Sequence, residues 1–356
     1  MNISYERSNF VKNSSLLNVD NEHDNMIILG KAETSRKNGE ILKPKNLDEA
    51  LKLYGESDLY DAYKQAIDLG VEKVYTVNCF NITDYLIIVD KLIHYNFAYI
   101  VPINIFLSDT FYDPINKEHR YYANFFIESL NEVDSLSTVI FTERHATLYE
   151  DIDHYLINMK NIYSKYIQTT NMNIKNPLIL DDYGNDLIFV LNSLENVEHA
   201  NVILAAMLAN SYPSEYPDNV GYDTVFDIDK RDMYGFDIAY FKKSFLTDNS
   251  SIDNLLNLRN SSDIYKNVII DNVIKHTIRS LNLDSYKGKL YNLYTKLQLE
   301  NTTKTILNKL KGILFKDYKI EKIGFENITK TSGYVYVEIS IQPYGTFETV
   351  KIVMGV

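Results

Sequence analysis

The spacing of apolar residues changes repeatedly between a helical and a strand-like period along most of the chain. Residues 26–30 form a short apolar run that ends in glycine, which indicates a buried strand. Asn46, with two acidic residues close behind it, predicts a helix that ends at Gly55. Behind Ser57, apolar residues recur at positions i, i+3, i+4, i+7 and i+8, which predicts a second helix before a strand at residues 73–77.

The same alternation of helix and strand continues through the middle of the chain. The strands are apolar throughout, which is typical of parallel strands that are buried on both faces. Residues 210–237 are rich in acids, proline and glycine and suggest a long surface excursion. We therefore expect an α/β fold, with a mostly parallel central sheet and helices on both of its faces. The predicted helices are 84–95, 119–130, 149–167 and a buried 197–209, and the predicted strands are 98–105, 136–141 and 177–180.

The two ends of the chain differ from this α/β region. Residues 1–22 have no helical period and too few apolar residues for a core, so we expect an extended N-terminal arm. After residue 262, two long helices and three strand-like segments predict an α+β C-terminal domain, which includes an extended arm over residues 333–356. The predicted helices are 263–281 and 289–314, the predicted strands are 319–328, 334–342 and 347–356, and the predicted domains are 1–22, 23–262 and 263–356.

Every second residue is apolar in the last two strand-like segments. A strand of this kind has one face to bury and one edge to pair, and so it needs a partner. The N-terminal arm has a few apolar residues, spaced too thinly to form a core of their own. The residues that we predict to take part in strand pairing are Ile3, Tyr5, Val335, Val337, Ile339, Ile341, Val350, Ile352, Met354 and Val356.

Charge divides the chain at the same boundary. The net charge of −12 would repel a phosphate backbone, so we expect no nucleic acid partner. Residues 263–356 hold 14 Lys+Arg and 9 Asp+Glu, or +5, whereas residues 1–262 hold 22 and 39, or −17. The imbalance fits either a solvation feature or a contact surface for an acidic partner.

Cysteine content and hydropathy restrict where the protein works. The single cysteine, Cys79, cannot form an internal disulfide, as is typical of proteins in a reducing cytoplasm. The N-terminus has no apolar segment of a signal peptide, and the longest apolar stretch, residues 98–107, is too short to span a bilayer. We therefore expect no secretion signal and no membrane insertion.

Sequence motifs of catalysis are missing. No phosphate-binding loop, nucleotide-binding glycine motif, serine hydrolase elbow or zinc peptidase motif occurs, and the seven histidines lack ligand spacing. We therefore expect no enzyme activity, no cofactor and no metal.

Two strand ends leave a cytoplasmic α/β enzyme open as the alternative. Asp181 and Asp182 follow an apolar strand, where such enzymes bind ligands or metals, although a pair of loop acids before a turn is the favoured interpretation. Glu143 and His145 follow another strand and could act as acid or base. There a solvated loop with an ion pair is favoured.

Three stretches of the chain carry a family resemblance. Residues 28–32, Ile-Leu-Gly-Lys-Ala, precede a loop, a helix that ends in Tyr-Gly at residue 55, a helix of the form Ala-x-x-x-Ala and a strand. The paired helices and the final pair of strands follow after residue 262. In this order they resemble contractile phage tail sheath proteins and the sheaths of R-type bacteriocins, or tailocins, of the diffocin type.

This resemblance implies a structural subunit of a contractile injection system. Sheath subunits form hexameric rings that stack into a helical assembly around an inner tube, and the sheath contracts to drive the tube through the envelope of a target cell. In the family, the N-terminal arm and the C-terminal strand add to the sheets of neighbouring subunits, so the strand residues above are expected to pair between subunits. Assembly is expected in the bacterial cytoplasm, as part of a phage virion tail or a released bacteriocin particle.

The resemblance also implies a set of partners. They are other copies of the chain, the inner tail tube protein, and the baseplate and tail terminator proteins. We expect the basic C-terminal domain to face the tube, the acidic remainder to face outwards, and the hinges to lie at residues 18–25 and 329–333. The candidate tube-facing residues are Lys287, Lys289, Lys296, Lys304, Lys309 and Lys311.

Overall fold

The computed structural model describes three longer stretches and several short ones. They are residues 24–143 (without 93, 115 and 132–134), 199–210, 264–286, 292–327, 333–343 and 350–355, the strands at 4–5, 187–190, 226–233, 236–244 and 253–257, and the residues 158, 161, 162 and 165. The predicted strand at 177–180 and nearly all of the predicted helix at 149–167 lie outside the described residues.

Helices and strands alternate along the described chain. The strands are β1 (Ser4–Tyr5), β2 (Asn25–Gly30), β3 (Ile41–Leu42), β4 (Lys73–Asn78), β5 (Tyr99–Pro102), β6 (Thr110–Asp113), β7 (Glu118–Tyr121), β8 (Thr138–Thr142), β9 (Leu187–Val190), β10 (Phe226–Met233), β11 (Phe236–Ser244), β12 (Asp253–Asn257), β13 (Phe315–Asn327), β14 (Gly333–Pro343) and β15 (Val350–Gly355). The helices are α1 (Leu47–Tyr54), α2 (Asp58–Asp68), α3 (Asp84–Leu92), α4 (Tyr122–Asn131), α5 (Ala200–Asn210), α6 (Ile264–Leu281) and α7 (Leu293–Leu310).

A mixed central sheet organises most of these elements. Its strand order is β10-β11-β12-β9-β8-β5-β2-β4-β3. The five strands from β9 to β4 run parallel, and β3 at one end and β10 to β12 at the other pair antiparallel with their neighbours. The α/β fold with a mostly parallel core is therefore confirmed.

Helices cover both faces of the central sheet, as the apolar strands predict. Along β2, Ile27 and Leu29 pack on one face with α3 and α4, while Met26 and Ile28 pack on the other with α1, α2 and α5. Burial on both faces explains why these strands are apolar without alternation. Helix α5 is buried from Ala200 to Ala209, which confirms that a helix apolar all round lies inside the protein.

The predicted helix caps are confirmed in detail. The Asn46 side chain accepts a hydrogen bond from the Glu49 N–H at 2.9 Å, and the Gly55 N–H donates to the Leu51 carbonyl at 2.8 Å. Gly55 has φ +69°, a conformation that residues with a Cβ atom rarely adopt. The Ser57 hydroxyl accepts from the Tyr60 N–H in the same way and starts α2.

Two elements differ from the predictions. Within residues 210–237, which were expected to form a surface excursion, β10 and the start of β11 join the central sheet. Phe226-Asp-Ile228-Asp alternates apolar and charged residues, and the high acid content of the segment obscured this strand period. The helix expected from residue 119 begins at Tyr122, because β7 pairs with β6 in a two-stranded ribbon.

The C-terminal part is α+β, as predicted. Helices α6 and α7 pack against a four-stranded sheet with the order β1-β15-β14-β13. The core between them contains Leu307 and Phe315, together with the alternate residues Val337 and Ile339 of β14. Leu136, which precedes β8, also packs in this cluster, so the C-terminal core reaches the central sheet. The domain limits stay a prediction.

Candidate functional site

The two ends of the chain meet in the C-terminal sheet. β15 pairs antiparallel with β14, and β1 pairs parallel with β15 through Ser4 with Val353 and Tyr5 with Met354. Most of the residues that we predicted to take part in strand pairing therefore lie in one sheet, namely Tyr5, Val335, Val337, Ile339, Ile341, Val350, Ile352 and Met354. Ile3 and Val356 lie outside the described residues. Here the pairing is within one chain, and exchange between chains stays a prediction.

The two edges of this sheet are unlike. At one end, β1 covers β15 over two residues only. At the other end, β13 has no ladder partner besides β14 among the described strands, and its exposed residues include Lys316, Asp317, Lys319, Glu321 and Lys322. Charged side chains, lysine above all, prevent further strands from adding to an edge. These features disfavour pairing at the β13 edge, whereas among the described residues β1 pairs with only Val353 and Met354 of β15.

Irregular pairing and ion pairs strengthen this contrast. The register of β13 against β14 shifts between Phe315 and Asp317 and again between Ile320 and Lys322, and such bulges twist an edge strand. Lys311 donates a hydrogen bond to Asp317 at 2.7 Å. This hydrogen bond lowers the pKa of the Asp317 carboxyl and raises the pKa of Lys311, so both groups stay charged at neutral pH.

One glycine of the β13–β14 hairpin lies beneath an aromatic ring. Gly324 lies opposite Tyr336, and a Cβ atom at Gly324 would meet the Tyr336 phenol ring unless the ring moved. The Lys322 ammonium lies 4.6 Å from the centroid of the same ring. Glycine at this position leaves room for the ring to lie over the neighbouring strand.

Helix α7 presents three of the six predicted tube-facing lysines. Lys304 and Lys309 are exposed, and Lys296 lies 4.0 Å from Glu300. Lys311 follows the helix and is paired with Asp317, as described above. Lys287 and Lys289 lie outside the described residues. Contact of these side chains with a tube stays a prediction.

The exposed face of α7 also carries apolar residues that sequence reasoning missed. Leu293 and Tyr294 are 73% and 77% exposed, and Leu297 is 48% exposed. Part of this face could have been found from the helical period, because the buried Leu299 and Leu307 set the phase of the helix and place Tyr294 on its opposite side. The outer face of α7 is thus apolar near its start and basic towards its end.

The enzyme alternative depends on the carboxyl ends of the central strands. Asp181, Asp182 and His145 lie outside the described residues. Glu143 is 2% exposed and accepts hydrogen bonds from the Ser108 N–H at 3.0 Å and the Ser108 hydroxyl at 2.8 Å. The expectation of a solvated loop was therefore wrong for Glu143. These two hydrogen bonds join the loop after β5 to the end of β8, and they compensate for the burial of the carboxylate.

Other polar side chains at these strand ends also bind the chain's own backbone. Asn78, at the end of β4, accepts from the Ala32 N–H at 3.1 Å and donates to the carbonyls of Thr34 and Arg36 at 2.8 and 3.0 Å. Asn104 accepts from the Lys31 N–H at 2.7 Å. Loop 31–40 is thereby held over the edge where α/β enzymes bind their ligands.

The remaining chemistry of this region does not indicate catalysis. Burial raises the pKa of the Cys79 thiol well above its ordinary value, so the thiol stays protonated at neutral pH. Within the described ranges, no three His, Cys, Asp or Glu residues come together in a way that could hold a metal ion. Of the helices that the structure describes, none has the length and apolar character needed to cross a membrane.

Comparison with known proteins gives a fold. No protein-family model and no curated protein sequence matches the chain. The crystal structure of a sheath tail protein from Desulfitobacterium hafniense is similar, with a TM-score of 0.53 and 11% identity over 98% of this chain and 100% of that chain. A sheath tail protein from Listeria innocua, at 9% identity over 93% and 94% of the two chains, has a TM-score of 0.45, which is too low to support a conclusion. The chain therefore has the fold of a sheath tail protein over nearly its whole length.

Proposed function

We propose that this protein is the structural subunit of a contractile tail sheath, which polymerises as stacked rings around an inner tube and contracts to drive the tube through a target cell envelope. The likeness to a sheath tail protein supports this proposal at the level of fold. Because one fold can serve several functions, the contacts of a site must also support the function.

The observation that carries the proposal is the meeting of both chain ends at one edge of the C-terminal sheet. β1 and β15 are joined by pairing of Ser4 with Val353 and Tyr5 with Met354. A strand that closes the sheet of its own chain can close the same sheet of a neighbour with identical hydrogen bonds. A reciprocal exchange between two copies would give an isologous dimer, whereas a strand donated in one direction from copy to copy is a head-to-tail contact, which generates rings or helices.

The charged β13 edge supports the same proposal. A sheet with two free edges would add strands on both sides, whereas the lysines and bulges of β13 restrict addition to the β15 side. Each subunit then accepts strands at one defined position. Hinges at residues 18–25 and 329–333 would let the arms reach a neighbour while the body of the subunit keeps its fold.

The uneven charge of the chain indicates which surfaces would contact partner proteins. The basic C-terminal domain would face the inner tail tube protein, with Lys304 and Lys309 of α7 exposed towards it and the acidic remainder facing outwards. The baseplate and tail terminator proteins would bind the ends of the sheath. Contraction needs neither nucleotide nor cofactor, because the energy is stored at assembly as contacts between subunits that are not yet formed.

Biological context completes the proposal. The protein would be a homo-oligomer without nucleic acid partner, enzyme activity or membrane insertion, assembled in the bacterial cytoplasm. It would belong to a phage virion tail or to a released R-type bacteriocin of the diffocin type. The negative net charge of −12 agrees with a protein that does not bind nucleic acid.

Negative-stain electron microscopy of the purified full chain tests the proposal. We expect tubular polymers, and we expect deletion of residues 344–356, which removes β15, to abolish them. Circular dichroism and thermal unfolding of the deleted protein should show a folded body. The matched control is Lys319→Ala on the charged β13 edge, which should assemble like the natural sequence. Tubes that form equally well without residues 344–356 would refute the role of β15.

A further inference from the structure

Within the parallel part of the central sheet, one junction has fewer paired residues than the others. β5 pairs with β2 over four residues, and β8 pairs with β9 over four. Between β5 and β8, only Tyr99 with Thr138 and Ile100 with Val139 are paired. The β5–β8 junction therefore divides the parallel part of the sheet into two better-paired halves.

Pro102 is the physical cause of this short pairing. The Thr138 N–H donates to the Ala98 carbonyl at 2.8 Å, and the Ile103 N–H donates to the Leu29 carbonyl on β2 at 2.9 Å. Because the peptide groups of a strand alternate between its two neighbours, the peptide of Pro102 faces β8. Proline has no N–H to donate, and the ladder cannot continue past Ile100.

A side chain from α5 takes the place of the missing donor. The Asn201 amide nitrogen donates to the Pro102 carbonyl at 2.7 Å and to the Ile140 carbonyl of β8 at 3.3 Å. Asn201 is fully buried, so these bonds are made away from water. One amide thus joins the carboxyl ends of both strands.

Helix α6 joins the amino ends of the same two strands. The Tyr99 hydroxyl of β5 donates to Asn272 at 3.4 Å, and the Lys275 ammonium donates to the Thr138 hydroxyl of β8 at 2.8 Å. Arg279 donates to the Leu136 carbonyl at 2.6 Å. Asn272, Lys275 and Arg279 are spaced i, i+3 and i+7 and so lie on one face of the helix.

We propose that the β5–β8 junction is the line along which the central sheet opens, and that α6 is the latch that keeps it closed. Lys275 is 2% exposed, so its hydrogen bond to Thr138 is buried. Breaking this hydrogen bond costs free energy, because no water is close enough to replace the lost partner. α6 also packs in the C-terminal core through Val273 and Ile274. Helix α6 therefore links the C-terminal core to the central sheet. All of these contacts lie within one chain, so the proposed latch does not depend on assembly into a tail.

Hydrogen–deuterium exchange of the full chain, followed by mass spectrometry, tests the latch. Lys275→Met keeps the length of the side chain and removes its bond to Thr138. We expect amide exchange in 99–101 and 138–142 to rise about tenfold, while exchange in β4 stays as in the natural sequence. Thr138→Val removes the same bond from the other partner and should give the same pattern.

A substitution in α5, at the other end of the β5–β8 junction, tests whether the two ends of the junction are coupled. Asn201→Ala should raise exchange in β5 and β8 and also in 272–281 of α6, which Asn201 does not contact through any hydrogen bond in the described residues. The matched control is Asn210→Ala on the same helix, which loses a bond to the Leu69 carbonyl at 2.8 Å and should leave α6 unchanged. An equal rise in β4 and β5, or no change in Lys275→Met and Thr138→Val, would overturn the proposal.

Discussion

Tyr54 offers a test of how burial controls both stability and pH dependence. It is 1% exposed at the end of α1, and its hydroxyl lies 2.5 Å from the Thr76 hydroxyl on β4. Tyr54→Phe removes this hydrogen bond and leaves Thr76 with its longer bond to the Leu42 carbonyl at 3.4 Å. We expect the free energy of unfolding to fall by about 1 kcal/mol at pH 8, as for a typical buried hydrogen bond.

The pH dependence of this difference follows from the pKa of the phenol. Burial raises the pKa of Tyr54 from 10.0 to about 12, with the Thr76 hydrogen bond acting in the opposite direction. The unfolded chain ionises first as the pH rises, so the contribution of Tyr54 is fully present below pH 10 and is lost as the pH approaches the folded value. About 1.4 kcal/mol is lost by pH 11, on the order of one pKa unit. The advantage of Tyr54 over phenylalanine should therefore disappear near pH 11.

Urea unfolding at pH 8 and pH 11, monitored by circular dichroism, measures this prediction. The comparison variant is Thr76→Val, which keeps the buried phenol and removes its partner. Burial is the largest cause of the raised Tyr54 pKa, and the Thr76 hydrogen bond lowers this pKa. Thr76→Val should therefore lose at least as much free energy of unfolding between pH 8 and pH 11 as the natural sequence does. If the difference between Tyr54 and phenylalanine is the same at pH 8 and pH 11, the reasoning is refuted.

Two further substitutions test the sheet edge and the covered strand ends. Changing Lys316, Lys319 and Lys322 together to threonine opens the β13 edge, so light scattering should show lateral aggregates that Lys319→Ala alone does not form. Asn78→Ala removes three hydrogen bonds to loop 31–40 and leaves the buried Ala32 N–H unpaired. Urea titration should show a loss of ~2–4 kcal/mol in the free energy of unfolding, and a loss below about 0.5 kcal/mol would contradict the role of Asn78.

Local signals in the sequence predicted local structure well. The caps at Asn46 and Gly55 depend only on residues within one helix, and the alternation of Val337 and Ile339 depends only on the period of one strand. β10 and β11 were missed because their apolar and charged residues alternate within a segment rich in acids. A strand period is weak evidence where turn-forming residues surround it.

Long-range contacts could not be found in this way. The burial of Glu143 depends on Ser108, which lies 35 positions earlier in the chain. The tolerance of Pro102 inside a central strand depends on Asn201, 99 positions later. Of the candidate site, the sequence therefore indicated which segments form strands, but it did not indicate that the two edges of the C-terminal sheet differ.

The charged β13 edge limits how far β pairing can spread. Apolar strands tend to stack without end, as in amyloid fibrils, when each added strand exposes a new template. The C-terminal sheet ends on one side at a charged, bulged strand, which disfavours further addition there. In a polymer joined as we propose, strands would then add on the β15 side alone, and each subunit would have one defined set of partners.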